Sequence, residues 1–156
     1  MRPWHRYDGD VHRVFGEWRE DCNPIRHLAS WWPRRHLDNV IFLHYADLTA
    51  DTEGELRRLA AFLDLAIDDE HWPRVLDEVS LDSMRRAADD TGRMNVLFEH
   101  GADSFFHQGT NGRWVGRLDA EILAAYDEMV ATLPADAAAW LEHGSLALGR
   151  RPHEFD

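Results

Sequence analysis

The stretch NVIFLHYADLTADTEGELRRLAAFLDL, residues 39–65, combines two different apolar patterns. Residues 40–43 form an unbroken apolar run, which is typical of a strand buried on both faces of a parallel sheet. Thr52 and Glu55 have the spacing of a helix capping box, and apolar side chains then recur at helical spacing at Leu56, Leu59, Ala60 and Leu63. The stretch therefore predicts a strand, a short loop and an amphipathic helix. Tyr45 would lie just beyond the carboxyl end of the strand, where ligands bind in open parallel sheets.

The rest of the chain shows mostly helix patterns. Asn23 before Pro24 predicts a helix start, Ser80 can cap a following helix, and Asp119 precedes a long helix. The apolar face of that long helix consists of Ile122, Leu123, Tyr126, Met129, Val130 and Leu133. A single buried strand lacks the neighbours that it needs for pairing. Either the chain is part of a larger α/β protein, which is the preferred interpretation, or residues 40–45 form a buried hairpin or helix segment.

Length and charge limit the classes of protein that the sequence can represent. The 156 residues fit one domain, predicted over residues 1–150, followed by a frayed tail at residues 151–156. The net charge of −12 argues against a general nucleic-acid binder, because such proteins neutralise phosphates with basic side chains. No signal peptide and no membrane-spanning run are visible in the sequence, so the expected location is the cytoplasm, without membrane contact.

Several common catalytic and metal-binding patterns are missing from the sequence. Cys22 is the only cysteine, which excludes a thiolate zinc cluster, and the ten histidines include no His-Glu-x-x-His pair. The sequence also contains no Gly-x-x-x-x-Gly-Lys phosphate loop and no Gly-x-Ser-x-Gly elbow. We therefore expect no metal site, and we assign no catalytic residue.

A second distinctive stretch, FFHQGTNGRWVGRLDAE at residues 105–121, places three glycines within eight positions. Together with SWW at residues 30–32, the 39–65 stretch and VSLDSM at residues 79–84, it resembles segments of the cytosolic-type sulfotransferases. In that family a strand ends in Tyr-Glu-Asp and leads into a helix that finishes Phe-Leu-Gly. The four segments follow the family order and approximate spacing, and the resemblance covers the chain from about residue 10 to about residue 133.

The resemblance implies transfer of a sulfonate from 3′-phosphoadenosine 5′-phosphosulfate to a hydroxyl or amine. The implied fold is α/β, namely the C-terminal part of a P-loop-like parallel-sheet sulfotransferase fold, mostly helical in this chain with one clear buried strand. Tyr45 would lie beside the adenine, and Ser80 and Leu81 would flank the nucleotide. The implied loop over the 3′-phosphate comprises Phe105, Phe106, His107, Gln108 and Gly109.

Two departures from the family affect that loop. The family has Arg-Lys-Gly where this chain has His107 and Gln108 before Gly109, so both permanent cations are absent. Charge-assisted hydrogen bonds contribute roughly 1.5 to 3 kcal/mol each, and we therefore expect weakened or absent binding of the nucleotide by the chain alone. A protonated His107 would restore part of the charge.

The family's phosphosulfate loop and catalytic histidine precede the matched region and have no counterpart in residues 1–156. The isolated chain, as a C-terminal half, is therefore expected to be inactive in sulfonate transfer. Its expected partners are an unknown small-molecule acceptor and either a separately encoded N-terminal half or a second copy of the chain. One alternative is a non-catalytic binding or scaffold fragment that has lost the cofactor. Another is a small helical interaction protein, which would leave the ordered matches unexplained.

Overall fold

The computed structural model describes residues 9–91, 106 and 109–156, and every regular element among them is a helix. The chain divides into two units. The first combines the residues up to Phe42 with those from Gly112 onwards, and the second is Leu43–Asn111. Among the described helices, none has both the length and the apolar character that crossing a lipid bilayer requires.

The described residues form α-helices in both units. In chain order they are α1 (Val11–Glu17), α2 (Pro24–Trp31), α3 (Tyr45–Ala50), α4 (Thr52–Phe62), α5 (Trp72–Glu78), α6 (Leu81–Thr91), α7 (Ala120–Val130) and α8 (Ala135–Leu148). A π-helical turn, Trp18–Cys22, follows α1, and short 3-10 turns occupy Trp32–Arg34, Asp69–His71 and Pro152–Glu154. Helix α8 is interrupted at Gly144, whose φ of 77° is not helical.

The predicted strand at residues 40–43 is wrong. These residues are irregular and half-buried, and the described part of the chain contains no strand that could pair with them. Instead, the Val40 N–H donates to the Leu37 carbonyl at 3.0 Å, and Phe42 packs edge-on against Trp32 and Trp140. An apolar run indicates burial without specifying what covers it, and here two tryptophan rings cover Phe42. The predicted α/β fold with a parallel sheet is therefore not found in the described residues.

The core of the first unit is built around tryptophan side chains. Trp32 is 2% exposed, and its ring centroid lies 5.6 Å from those of Phe42 and Trp140. The Trp32 indole N–H donates to Asp136 Oδ2 at 2.9 Å, which satisfies its polar atom. The other buried members of this core come from α2, α7, α8 and the turn between α7 and α8: Ile25, Leu28, Val130, Leu133 and Ala137.

The tail at residues 151–156, expected from the sequence to be frayed, contacts the same core. Pro152 is buried, and the Phe155 ring centroid lies 5.9 Å from that of Trp32. The Arg35 guanidinium lies over the Trp32 ring at 5.2 Å and donates from Nη2 to the Asp156 carbonyl at 2.6 Å. These contacts attach the tail to the turn that follows α2.

The described part of the second unit buries carboxylates as well as an aromatic ring. Asp47 in α3 is 2% exposed and Glu55 in α4 is 1% exposed, and Glu55 Oε2 accepts from Arg58 Nη2 at 2.7 Å. Trp72 at the start of α5 is 4% exposed, and the Arg57 guanidinium covers its ring at 4.4 Å. Helices α4 and α5 are therefore joined by a cation–π contact.

Three of the predicted helix starts are confirmed by their capping bonds. Asn23 Oδ1 accepts from the Arg26 N–H at 2.9 Å, and Pro24 is the first residue of α2. Ser80 Oγ accepts from the Ser83 N–H at 3.2 Å at the start of α6. The long helix α7 begins as predicted after Asp119, whose Oδ1 accepts from the Ile122 N–H at 3.0 Å.

The predicted capping box of α4 is wrong. The cap is Asp51, whose Oδ1 accepts from the Gly54 N–H at 2.9 Å. Thr52 is already the first helical residue, and its hydroxyl donates to the Leu48 carbonyl at 2.7 Å. Aspartate and threonine are both good caps, and only the backbone path decides which of two neighbours occupies the cap position.

We expect Gly54→Ala to stabilise the chain only after Asp51 has been removed. A Cβ at residue 54 would lie 2.1 Å from Asp51 Oδ2, so the carboxylate must leave its capping position. The lost cap, about 1 kcal/mol, then offsets the gain of about 1 kcal/mol in helix propensity. With Asp51→Ala already present, that gain remains. Urea unfolding of the four proteins measures both effects, and equal gains in the two backgrounds would contradict this contact.

Candidate functional site

Tyr45 occupies an exposed position at the first turn of α3. His44 has extended backbone angles and caps the helix, since its Nδ1 accepts from the Ala46 N–H at 3.2 Å. The chain thus changes from an extended segment to a helix directly before Tyr45, without a strand. The Tyr45 side chain is 51% exposed, which leaves much of its ring open to a ligand.

Ser80 and Leu81 lie at the start of α6. The Ser80 hydroxyl is used as the helix cap, and both residues are half-buried. The Ser80 hydroxyl therefore has a structural role, and its place beside a nucleotide stays a prediction. Leu81 is the first residue of α6 and directs its side chain toward a later part of the second unit.

Gly109 lies close to the first residues of α3 and α6. Its φ is +61°, in the left-handed region that favours glycine. A Cβ at this position would lie 2.5 Å from Leu81 Cδ1 and 3.6 Å from the Tyr45 hydroxyl oxygen. Only glycine fits this space without displacing Leu81. The structure therefore brings together three predicted site residues, Tyr45, Leu81 and Gly109, that are far apart in the sequence.

Arg85, which no sequence motif marks, holds the chain just before Gly109. Its Nε and Nη2 atoms both donate to the Phe106 carbonyl, at 2.9 and 2.7 Å. Its Nη1 atom donates to Asp82 Oδ1 at 3.2 Å. The only sequence signal for this role is spacing, because Arg85 follows Leu81 by one helical turn and so lies on the same face of α6.

Of the other predicted loop residues, the structure describes only Phe106. Phe106 is half-buried and supplies the carbonyl that Arg85 binds. Phe105, His107 and Gln108 lie outside the residues that the structure describes, so their assigned roles remain predictions. Together, the described members form a cluster of Tyr45, Leu81, Arg85, Phe106 and Gly109, which we call the 45–81–109 cluster.

The chemistry of the 45–81–109 cluster suits binding more than bond making. The half-exposed Tyr45 ring offers a flat aromatic face, and Gly109 offers backbone that no side chain of its own shields. An aromatic face can stack on a heterocycle, while bare backbone lets an anionic group approach closely. The cluster contains neither a histidine nor a carboxylate that would serve as a general base.

His12 lies in the first unit and pairs with a helix cap. Its Nε2 atom lies 2.6 Å from Asp119 Oδ2, and both side chains are about half exposed. The pKa of Asp119 is lowered from its ordinary value, first by the Ile122 N–H that it caps and further by His12. The pair links α1 to the start of α7 at the surface of the first unit.

An exposed group of possible metal ligands occurs at the 3-10 turn before α5. The ligand atoms of Asp68, Glu70 and His71 lie within 4.8 Å of one another. All three side chains are exposed, and the adjacent Asp69 is paired with Arg57 at 2.9 Å. Exposed carboxylates commonly stay hydrated without an ion, so this geometry by itself does not assign a metal site.

Comparisons with known proteins give the same family as the motifs. Residues 14–138 match the family described as Sulfotransferase domain. The glycolipid sulfotransferase of Mycobacterium bovis (strain BCG / Pasteur 1173P2) is 36% identical over 125 residues, covering 79% of this chain and 38% of the relative. Sulfotransferase 1B1 of Canis lupus familiaris is 25% identical over 72% of this chain and 38% of its own length.

A third relative is also named as a sulfotransferase. Luciferin sulfotransferase of Photinus pyralis is 26% identical over 66% of this chain and 30% of its own length. The chain thus spans well under half the length of the curated relatives that it matches. No solved structure shows a significant match. With the family match covering most of the chain, residues 14–138, the protein belongs to the sulfotransferase family.

Proposed function

We propose that this chain contributes the nucleotide-binding part of an enzyme that transfers a sulfonate from 3′-phosphoadenosine 5′-phosphosulfate to a hydroxyl or amine. Membership of the sulfotransferase family supports sulfonate transfer in general. The observation that supports the nucleotide site is the convergence of Tyr45, Leu81 and Gly109, because the family resemblance independently assigns all three to the nucleotide.

The residues of the 45–81–109 cluster fit the adenosine end of the donor. The Tyr45 ring is half exposed and can stack on adenine, and Leu81 supplies an apolar surface beside it. Leu81 fills the place of a side chain at Gly109, so a phosphate oxygen would reach this half-buried backbone from the side away from Leu81. The donor supplies the sulfonate when bound, while these residues hold and orient its adenosine end.

The transfer step itself requires groups outside this cluster. A general base for the acceptor and cationic donors at the transferred group are the usual requirements for such chemistry. We therefore place those groups on a further segment or partner chain. The match to glycolipid sulfotransferases favours a hydroxyl of a glycolipid as the acceptor.

A second candidate function is a non-catalytic binding or scaffold protein. His107 and Gln108 stand where the family has arginine and lysine, and this loss of two cations favours it. The two candidates differ in one measurable property. A scaffold that has lost the cofactor binds neither 3′,5′-bisphosphoadenosine nor adenosine 5′-phosphate, whereas the proposed enzyme part binds the first.

We expect Tyr45→Ala to weaken binding of 3′,5′-bisphosphoadenosine by about tenfold or more, because stacking of a base on an aromatic ring contributes about 1–3 kcal/mol. Tyr45→Phe keeps the ring and is expected to retain most of the affinity. Calorimetric titration of the three proteins measures this. The free energy of unfolding should change little, since Tyr45 is 51% exposed.

The matched control is Trp114→Ala, which removes an aromatic side chain that is 55% exposed in the first unit. This variant is expected to bind the nucleotide like the natural chain. Equal affinities of the Tyr45→Ala variant and the natural chain would contradict the adenine assignment. Absence of binding in the natural chain at millimolar nucleotide, both alone and with an N-terminal half of the enzyme supplied, would support the scaffold function instead.

A further inference from the structure

We propose that Arg85 is a positioning residue. It holds the backbone at Phe106 and Gly109 against α6, in the position in which this backbone is expected to meet the nucleotide. The inference rests on the proposed function, and it adds a residue that no motif of the sequence supplies. Arg85 is assigned no contact with the nucleotide. Its role is to hold the backbone that the nucleotide is expected to meet.

The Arg85 guanidinium makes several hydrogen bonds. Two nitrogen atoms of Arg85 donate to the Phe106 carbonyl, at 2.9 and 2.7 Å, and a third donates to Asp82 at 3.2 Å. Hydrogen bonds from a charged donor are roughly twice as strong as neutral ones. Two bonds converging on one oxygen fix its position more narrowly than one bond would, because the guanidinium is planar and rigid.

Helix α6 holds the chain at two points. Leu81 contacts Gly109 at the first turn of the helix, and Arg85 binds Phe106 one turn later. Residues four apart lie on one helix face, so the two contacts are aligned along α6. Phe106 and Gly109 are consequently both held against α6, with Gly109 beside its first turn and Phe106 beside the next.

The two partners of Arg85 differ in burial. The Arg85 side chain is 30% exposed, and its bonds to Phe106 are partly buried, whereas Asp82 is 78% exposed. A partly buried charge-assisted bond is less screened by water and salt than an exposed ion pair. The bond to Phe106, and not the ion pair with Asp82, therefore carries the positioning effect.

The test compares Arg85 with its neighbour Arg86. Arg86 is exposed on the same helix, and its Nη2 atom bonds to Ser83 Oγ at 2.7 Å. We would make Arg85→Gln, Arg85→Lys, Arg86→Gln and Arg86→Lys in the full chain. Amide hydrogen exchange of peptides covering residues 106–112 is followed without nucleotide, and the affinities for 3′,5′-bisphosphoadenosine and adenosine 5′-phosphate are measured by calorimetry.

Both Arg85 variants are expected to exchange faster than the natural chain across residues 106–112, while peptides from α7 stay unchanged. We also expect about a tenfold loss of affinity for 3′,5′-bisphosphoadenosine, and a smaller loss for adenosine 5′-phosphate. Lysine carries a single point charge and cannot donate to the Phe106 carbonyl from two nitrogen atoms of one rigid plane. Arg85→Lys should therefore retain little of the nucleotide affinity that Arg85→Gln loses. The two Arg86 variants should behave like the natural chain in both measurements.

Three outcomes would overturn the proposal. Unchanged exchange across residues 106–112 in Arg85→Gln would show that Arg85 does not hold the backbone there. Faster exchange with unchanged nucleotide affinity would show a merely structural role. If the natural chain binds neither nucleotide even when an N-terminal half of the enzyme is supplied, the proposed function fails and the positioning role fails with it. If the natural chain binds and the Arg85 variants have its affinity and exchange rates, only the positioning role is overturned. Circular dichroism of each variant checks that it is folded.

Discussion

Trp32→Ala is expected to lower the free energy of unfolding by about 3–5 kcal/mol, the range found when a large aromatic side chain is removed from a core. Trp32 is 2% exposed and lies against Phe42, Trp140 and Phe155. The substitution leaves a large cavity among these rings. It also leaves Asp136 without the indole N–H that donates to it at 2.9 Å.

The adjacent residue provides the control. Trp31 is 42% exposed, and its described ring contacts are with His27 and the Arg34 guanidinium. Trp31→Ala should cost about 1 kcal/mol or less, the range for an exposed cation–π contact. Urea unfolding followed by circular dichroism compares the two variants. Similar losses from both substitutions would mean that Trp32 is not the centre of this core.

The double substitution His107→Arg with Gln108→Lys is expected to raise affinity for 3′,5′-bisphosphoadenosine by about two orders of magnitude or more. Each restored charge-assisted bond contributes roughly 1.5 to 3 kcal/mol, and tenfold in affinity corresponds to about 1.4 kcal/mol. These residues lie outside those that the structure describes, so the expectation rests on the sequence and the family. Calorimetric titration in low salt measures the gain.

Two comparisons separate phosphate binding from a general effect of charge. Adenosine 5′-phosphate lacks the 3′-phosphate and should gain less affinity, and the gain for the bisphosphate should shrink as salt is added. His143→Arg adds one cation at an exposed histidine of α8, in the first unit, and should leave both affinities unchanged. Equal gains for the two nucleotides would refute the assignment of residues 105–109 to the 3′-phosphate.

The helix starts could be predicted because their signals are local. Asn23, Ser80 and Asp119 each accept a bond from an N–H three residues later, so the cap and its partner belong to the same short segment. At α4 the same reasoning selected Thr52 where Asp51 is the cap. Both residue types suit the position, and the sequence does not show where the backbone turns from α3 into α4.

The run at residues 40–43 could not be predicted in the same way. A strand exists only through hydrogen bonds to another strand, and the partner is never part of the local pattern. The apolar run predicts that Phe42 packs inside the protein, but it does not predict which residues Phe42 contacts. Trp32 and Trp140 supply the apolar surface that a sheet was expected to provide.

By itself, the sequence determined the family and most of the helices, since ordered motifs and capping residues carry their information within short segments. It also marked Tyr45, Leu81 and Gly109 as members of one site, through the resemblance alone. Only the tertiary structure decided that residues 40–43 are irregular, that a Cβ on Gly109 would collide with Leu81, and that Arg85 binds the Phe106 carbonyl. Each of these depends on atoms brought together from distant parts of the chain, and no local pattern records which distant atoms will meet.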